Sequence, residues 1–142
     1  MINDLLIARS LLETYNHSIV IVKNEKAVYQ SDEGGIKPFL NALITFKEDL
    51  AGASVADKII GMSLANLLVY GKISKVYSEL ISENAKAFLE KNNITVKYKV
   101  EVPFILNKSK DSLCMFESMA KDFTSCADAF EKINNFFLNP KA

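Results

Sequence analysis

Ser54-Val-Ala-Asp-Lys-Ile-Ile-Gly-Met-Ser-Leu-Ala-Asn-Leu-Leu-Val-Tyr-Gly71 contains the longest uncharged run of the chain, Ile59–Gly71. Ile59, Ile60, Met62, Leu64, Leu67, Leu68 and Val69 fall around nearly the whole circumference of a helix. A helix that is apolar all round is wrapped by other elements. The spacing predicts a helix over 55–70, entered from the loop Ala51-Gly52-Ala53 and closed by Gly71. A membrane span needs about 20 mostly apolar residues, so the run reads as a buried core helix.

Upstream, Leu5, Leu6, Ala8, Leu11 and Leu12 recur at helical spacing behind Asn3 or Asp4, which predicts an amphipathic helix over 4–14. Ile19–Val22 and Ala27–Tyr29 read as a β-hairpin turned by Lys23-Asn-Glu-Lys26. Its first strand is apolar on both faces and therefore central in a covered sheet. Gly34-Gly35 breaks the chain, and Pro38 starts a helix over 37–50. Downstream come a strand at Ile73–Leu80, a helix at Glu83–Asn92 capped by Ser82, and an alternating strand at Ile94–Val102 that Pro103 ends or places at an edge. Short helices near 112–122 and 126–138 complete the chain. This order predicts an α/β protein, a three-layer α/β/α sandwich around a small mixed sheet. With no linker and no repeat, residues 1–142 read as a single domain.

Composition narrows the function. The chain has 142 residues, 49% hydrophobic and 24% charged, which excludes a disordered or low-complexity protein. Seventeen basic residues balance seventeen acidic ones, so no global field draws it to nucleic acid or to an anionic membrane. Arg9 is the only arginine, which argues against bidentate grips on phosphate or guanine. Asp4 and Arg9 interrupt the apolar start, so no secretory signal is expected and the address reads as cytoplasmic. The slightly positive mean hydropathy leaves room for a homo-oligomeric interface.

Gly-rich phosphate loops and a Gly-x-Ser-x-Gly elbow are absent. His17 sits beside Asn16 and Ser18 and reads as a turn or strand-end residue. Two segments stand out as helix N-termini, where free N–H groups favour anions and can activate a thiol. In Gly52–Gly61, Asp57 and Lys58 adjoin. In Asn107–Glu117, Cys114 and Glu117 fall three apart on one helical face. A bland account stands beside each. Ser54-x-x-Asp57 has the form of a capping box, as does Ser125-x-x-Asp128. Lys58 can snorkel and Cys114 can be a small buried hydrophobe. Against the bland account, Lys58 would place a cation where a helix's own field disfavours one.

The block Gly-Ala-Ser-Val-Ala-Asp-Lys-Ile-Ile-Gly, with the preceding hairpin, Gly34-Gly-Ile-Lys-Pro38, Ile105-Leu-Asn107 and the Met-Phe-Glu after Cys114, resembles a family of small bacterial proteins of unknown function. The resemblance runs from about residue 5 to 138 and implies a cytidine-deaminase-like fold. Zinc deaminases place His-x-Glu at one helix start and Pro-Cys-x-x-Cys at another. If the helix starts near Val55 and Ser112 correspond, Val55 replaces the histidine ligand, Asp57 the catalytic glutamate, and Glu117 the second cysteine, while Cys114 matches one cysteine. No metal site and no cofactor are expected from that set. The resemblance implies instead a zinc-free site at two converging helix N-termini, for a nucleotide-like or other anionic small metabolite. Asp57 would be its hydrogen-bonding or general-base group, Lys58 the anion partner and Cys114 a ligand contact or nucleophile. Ser54, Asn107 and Glu117 would contact the ligand. Whether a reaction is catalysed stays open. A non-catalytic interaction module and a zinc-dependent nucleobase deaminase are the other two readings.

Overall fold

The computed structural model describes residues 3–107, 109 and 112–138. Helix α1 (Asp4–Tyr15) begins where the Asn3 side chain accepts the N–H of Leu5 at 2.8 Å, and ends at Asn16, whose backbone is left-handed. Strands β1 (Ile19–Lys23) and β2 (Lys26–Ser31) form the expected hairpin. Its turn residues Asn24 and Glu25 both have positive φ, the geometry that matches strand twist. The Asp4 carboxylate accepts the N–H groups of both, at 3.0 and 2.8 Å, and so ties α1 to the hairpin. Helix α2 (Lys37–Phe46) carries Pro38 in its first turn and runs on into a 3-10 turn at Lys47–Leu50.

The predicted helix over 55–70 is not one element. Residues Ser54–Ile60 form strand β3, Gly61 breaks the chain, and only Met62–Tyr70 is helical, as α3. A strand buried on both faces is a continuous apolar run and cannot be told from a buried helix by period alone. The β-branched Val55, Ile59 and Ile60 and the glycine inside the supposed helix were the contrary signs. Strand β4 (Lys75–Ser82), helix α4 (Glu83–Lys91), strand β5 (Thr95–Val102), the short helix α5 (Met115–Ala120) and helix α6 (Cys126–Leu138) follow. Ser82 caps α4, accepting the N–H of Ala85.

The sheet order is β2-β1-β3-β4-β5, with β1 antiparallel to both neighbours and β3, β4 and β5 parallel. One face packs on α1 through Val20, Val22, Ala56 and Tyr77. The other packs through Ile19, Ile21, Val55, Val76 and Ile81 on α2, α3, α4 and α6. This is the expected α/β/α sandwich around a mixed sheet. Among the described residues no helix is long and apolar enough to cross a membrane.

Tyr77 lies fully within the α1 face, its ring under the Arg9 guanidinium at 4.5 Å, and its buried hydroxyl has no hydrogen-bond partner among the described residues. A buried unpaired hydroxyl costs stability, whereas the ring's burial and its contact with Arg9 do not need it. Tyr77→Phe is therefore expected to be neutral or to raise stability by about 1 kcal/mol in a urea melt. A loss of that size would show that the hydroxyl has a partner.

Candidate functional site

In an open α/β sheet, ligands bind outside the carboxyl ends of the parallel strands. Here that edge lies beyond Ile60 and Ser82, where β3 feeds α3 and β4 feeds α4. Ile105–Asn107 and Ser112–Cys114 fold over it as a small antiparallel clasp. Asn107 donates its backbone N–H to Ser112 O at 3.0 Å, and its side chain donates to the Ser112 hydroxyl at 2.9 Å. Cys114 donates to Ile105 O at 3.0 Å and stands at the start of α5, its free thiol partly buried. Of the Asn107–Glu117 segment, Lys108, Lys110 and Asp111 lie outside the described residues.

Glu117 is the centre of this edge. Only 6% exposed, its carboxylate accepts the N–H of Met62 through Oε1 at 2.5 Å and the N–H of Ile105 through Oε2 at 3.3 Å. Met62 opens α3, so Glu117 supplies the negative charge that a helix N-terminus favours. Ser63 seals the joint by donating to Phe116 O. Gly61 makes the approach possible, because a Cβ there would stand 2.8 Å from Glu117 Oε1 and 3.2 Å from Ile105 Cγ1. Above the carboxylate opens a cavity of about 410 Å³, lined by Met62, Asn84, Phe104, Leu113, Glu117, Ala120 and Lys121. Asn84 uses its side-chain oxygen on Ala85 N and Ser82 Oγ, which leaves its NH2 group without a partner among the described residues.

The residues expected from the sequence divide into four places. Cys114, Glu117 and Asn107 share the clasp. Ser54 opens β3, opposite Val22 and Lys75, and the strand then runs six residues to Ile60. At about 3.3 Å per residue, that is roughly 20 Å from the crevice. Ser54 and Asp57 do not form a capping box, since neither lies at a helix start. Asp57 and Lys58, adjacent in a strand, face opposite sides. Lys58 reaches Asn16 Oδ1 at 2.6 Å, at the carboxyl end of α1, where the helix field favours a cation and does not oppose it. Asp57 falls on the other face by alternation with Val55 and Ala56, opposite Ile19 and Ser78. The correspondence of Val55 and Asp57 with a deaminase helix start is likewise lost. The helices that follow β3 and β4 at this edge start Gly61-Met-Ser-Leu64 and Ser82-Glu-Asn-Ala85, without histidine or cysteine, and only Cys114, at the start of α5, brings such a donor beside them. Such a donor set does not fit a catalytic zinc, and no cluster of three or more His, Cys, Asp or Glu suited to a metal occurs among the described residues.

Asp57 has chemistry of its own. Burial holds its carboxyl well above the ordinary carboxylate range, against the opposing pull of the Ile59 and Lys58 N–H groups; Ile59 N lies 3.1 Å from its Oδ1. A folded value above the unfolded one means the native state keeps an extra proton between the two. Stability then falls as pH climbs from the ordinary range through the folded value, and levels off above it. Asp57→Asn removes this titration while keeping an acceptor for Ile59. It is expected to gain on the parent in stability as pH rises from about 4 to 8, with the difference smallest at the acid end. Urea melts at both pH values check this, and a pH-independent difference would contradict it.

Sequence reasoning missed Gly61, Met62, Asn84 and Lys121. The glycine between two apolar runs was the available signal. The other three come from segments that only the folded topology brings to one edge.

Residues 7–137 match the family described as TM1506, a domain of unknown function (DUF1893). The crystal structure of a DUF1893 family protein (TM1506) from Thermotoga maritima superposes with a TM-score of 0.84 at 21% identity, over 95% of this chain and 91% of that one. A diaminohydroxyphosphoribosylaminopyrimidine deaminase/5-amino-6-(5-phosphoribosylamino)uracil reductase from Thermotoga maritima gives 0.48 at 14% identity, over 68% of this chain and 35% of that one. That likeness is too partial to bear on this chain's chemistry. No curated protein sequence matches.

Proposed function

This chain belongs to the TM1506 family, a domain of unknown function (DUF1893), and we propose from the geometry of the crevice above Glu117 that it binds a small molecule there. The observation that carries the reading is a buried carboxylate with both oxygens on backbone N–H groups at the floor of a 410 Å³ cavity. Each oxygen keeps a lone pair for a ligand N–H. Asn84 offers an uncommitted NH2 group, Lys121 a cation, and Met62, Phe104 and Leu113 apolar walls. A planar, nitrogen-rich ring with an anionic substituent, a nucleotide-like molecule, matches these groups in kind. Glu117 itself already occupies the α3 N-terminus, so the anionic part belongs near Lys121 and not on that helix start. Cys114 and Asn107 serve by holding the clasp, Asp57 and Lys58 do not line the cavity, and binding rather than catalysis is the proposed role.

A thermal-shift screen of the protein against nucleosides, nucleotides and common metabolites tests this. A ligand at a hundredfold excess over its Kd stabilises by about 2.7 kcal/mol. Lys121→Gln is expected to weaken an anionic hit about tenfold, and Asn84→Ala to weaken charged and uncharged relatives alike. A flat screen would favour the second reading, an interaction module. Phe104 and Met115, each more than half exposed beside the crevice, are the observation behind that alternative.

A further inference from the structure

The far end of α3 holds a second and larger cavity, of about 700 Å³, between the carboxyl ends of α2 and α3 and the last turns of α6. Leu43, Ile44, Tyr70 and Phe130 give it an apolar wall, and Tyr70 and Phe130 stack at 4.9 Å. Lys47 and Lys72 are part of its lining, each held at a positive φ, 49° and 58°. Lysine gains nothing from that conformation, and residues held in it mark places where position matters more than local comfort. Neither ammonium has an ion pair or hydrogen bond among the described residues.

A helix carboxyl end attracts cations, which offers a simple account of both lysines. At α3 that need is already met, because the N–H groups of Gly71, Lys72 and Ile73 bond the carbonyls of Leu67, Val69 and Leu68. At α2 the Lys47 N–H bonds Leu43 O in the same way. The side-chain charges therefore remain available to the cavity. Glu48 is the one acidic side chain on the lining. Two cations against one anion leave room for a single negative charge beside a long apolar surface.

We infer that this cavity is a second binding site, and that it takes an amphipathic monocarboxylate whose tail lies on Ile44, Tyr70 and Phe130 and whose head lies between Lys47 and Lys72. It stands apart from the crevice above Glu117 and does not depend on that site's ligand.

The test is a fluorescence titration of the whole chain with 8-anilinonaphthalene-1-sulfonate, an aromatic monoanion, followed by displacement with laurate below its micelle concentration. Dodecanol and dodecyltrimethylammonium serve as the neutral and cationic comparisons. Laurate is expected to displace the dye about tenfold more effectively than either comparison. The double variant Lys47→Gln/Lys72→Gln is expected to lose that preference. Ile44→Glu, at a half-exposed position, is expected to abolish binding, while Lys121→Gln in the other crevice leaves it within about twofold. Absence of dye binding, equal displacement by all three dodecyl compounds, or unchanged laurate affinity in the lysine variant would overturn the inference. So would a concentration-dependent dimer that Ile44→Glu dissociates and laurate does not, since the cavity would then belong to a second copy of the chain.

Discussion

Glu117→Ala is expected to lose about 2–4 kcal/mol of stability, the largest single loss among the positions considered. The carboxylate is buried and accepts from Met62 and Ile105 at once, so its removal strands two N–H groups, that of Ile105 buried and that of Met62 partly so. Each buried unsatisfied donor costs about 1–3 kcal/mol, and the α3 N-terminus also loses the negative charge that complements its dipole. Glu117→Gln should fall in between, because its amide oxygen can still serve Met62 while its NH2 group faces the Ile105 N–H. Urea denaturation of the three proteins gives the order parent, Gln, Ala. An alanine variant within about 0.5 kcal/mol of the parent would mean that the carboxylate does not organise this edge.

The second large effect belongs to Gly61. Its backbone is not left-handed, so its role is space and not conformational freedom. The added methyl of alanine would meet Glu117 Oε1 at 2.8 Å, and overpacking of this kind costs about 1–3 kcal/mol. The cost should depend on the glutamate. In a Glu117→Ala background the nearest obstacle is gone, so Gly61→Ala is expected to cost less than about 1 kcal/mol there. The double-mutant cycle should then show a coupling of about 1 kcal/mol or more. Simple additivity would place the origin of the glycine requirement elsewhere.

Much of the fold was legible because local rules and global packing agreed. Asn3 and Ser82 announced α1 and α4 by capping, and Ile19–Val22 announced a central strand by being apolar on both faces. The same property in Ser54–Ile60 misled, since that run joined the apolar α3 through a single glycine and the two together imitated one long helix. The error carried into the site. A strand sends Asp57 and Lys58 to opposite faces, where a helix start would have kept both in its first turn. Glu117 was singled out for its spacing from Cys114, yet its importance comes from Met62 and Ile105, contacts that only the sheet's topology creates. Asn84 and Lys121 carry no local signal, because their meaning lies in converging from α4 and from the end of α5 on one cavity.

The internal carboxylate changes what the edge can hold. An empty helix N-terminus would invite a phosphate, but here Glu117 has taken that place and turned a donor-rich position into an acceptor-rich floor. Ligand recognition then rests on N–H groups of the ligand, with Lys121 left to read any anionic part.

Backbone amide chemical shifts during titration with the best hit of the thermal screen report where a ligand sits and so test whether the crevice above Glu117 is the binding site. Met62, Asn84, Ile105, Leu113 and Lys121 are expected to shift together along one saturating curve, while Tyr70 and Phe130 stay still. A hit that moves residues elsewhere and leaves Met62 and Ile105 unchanged would contradict it.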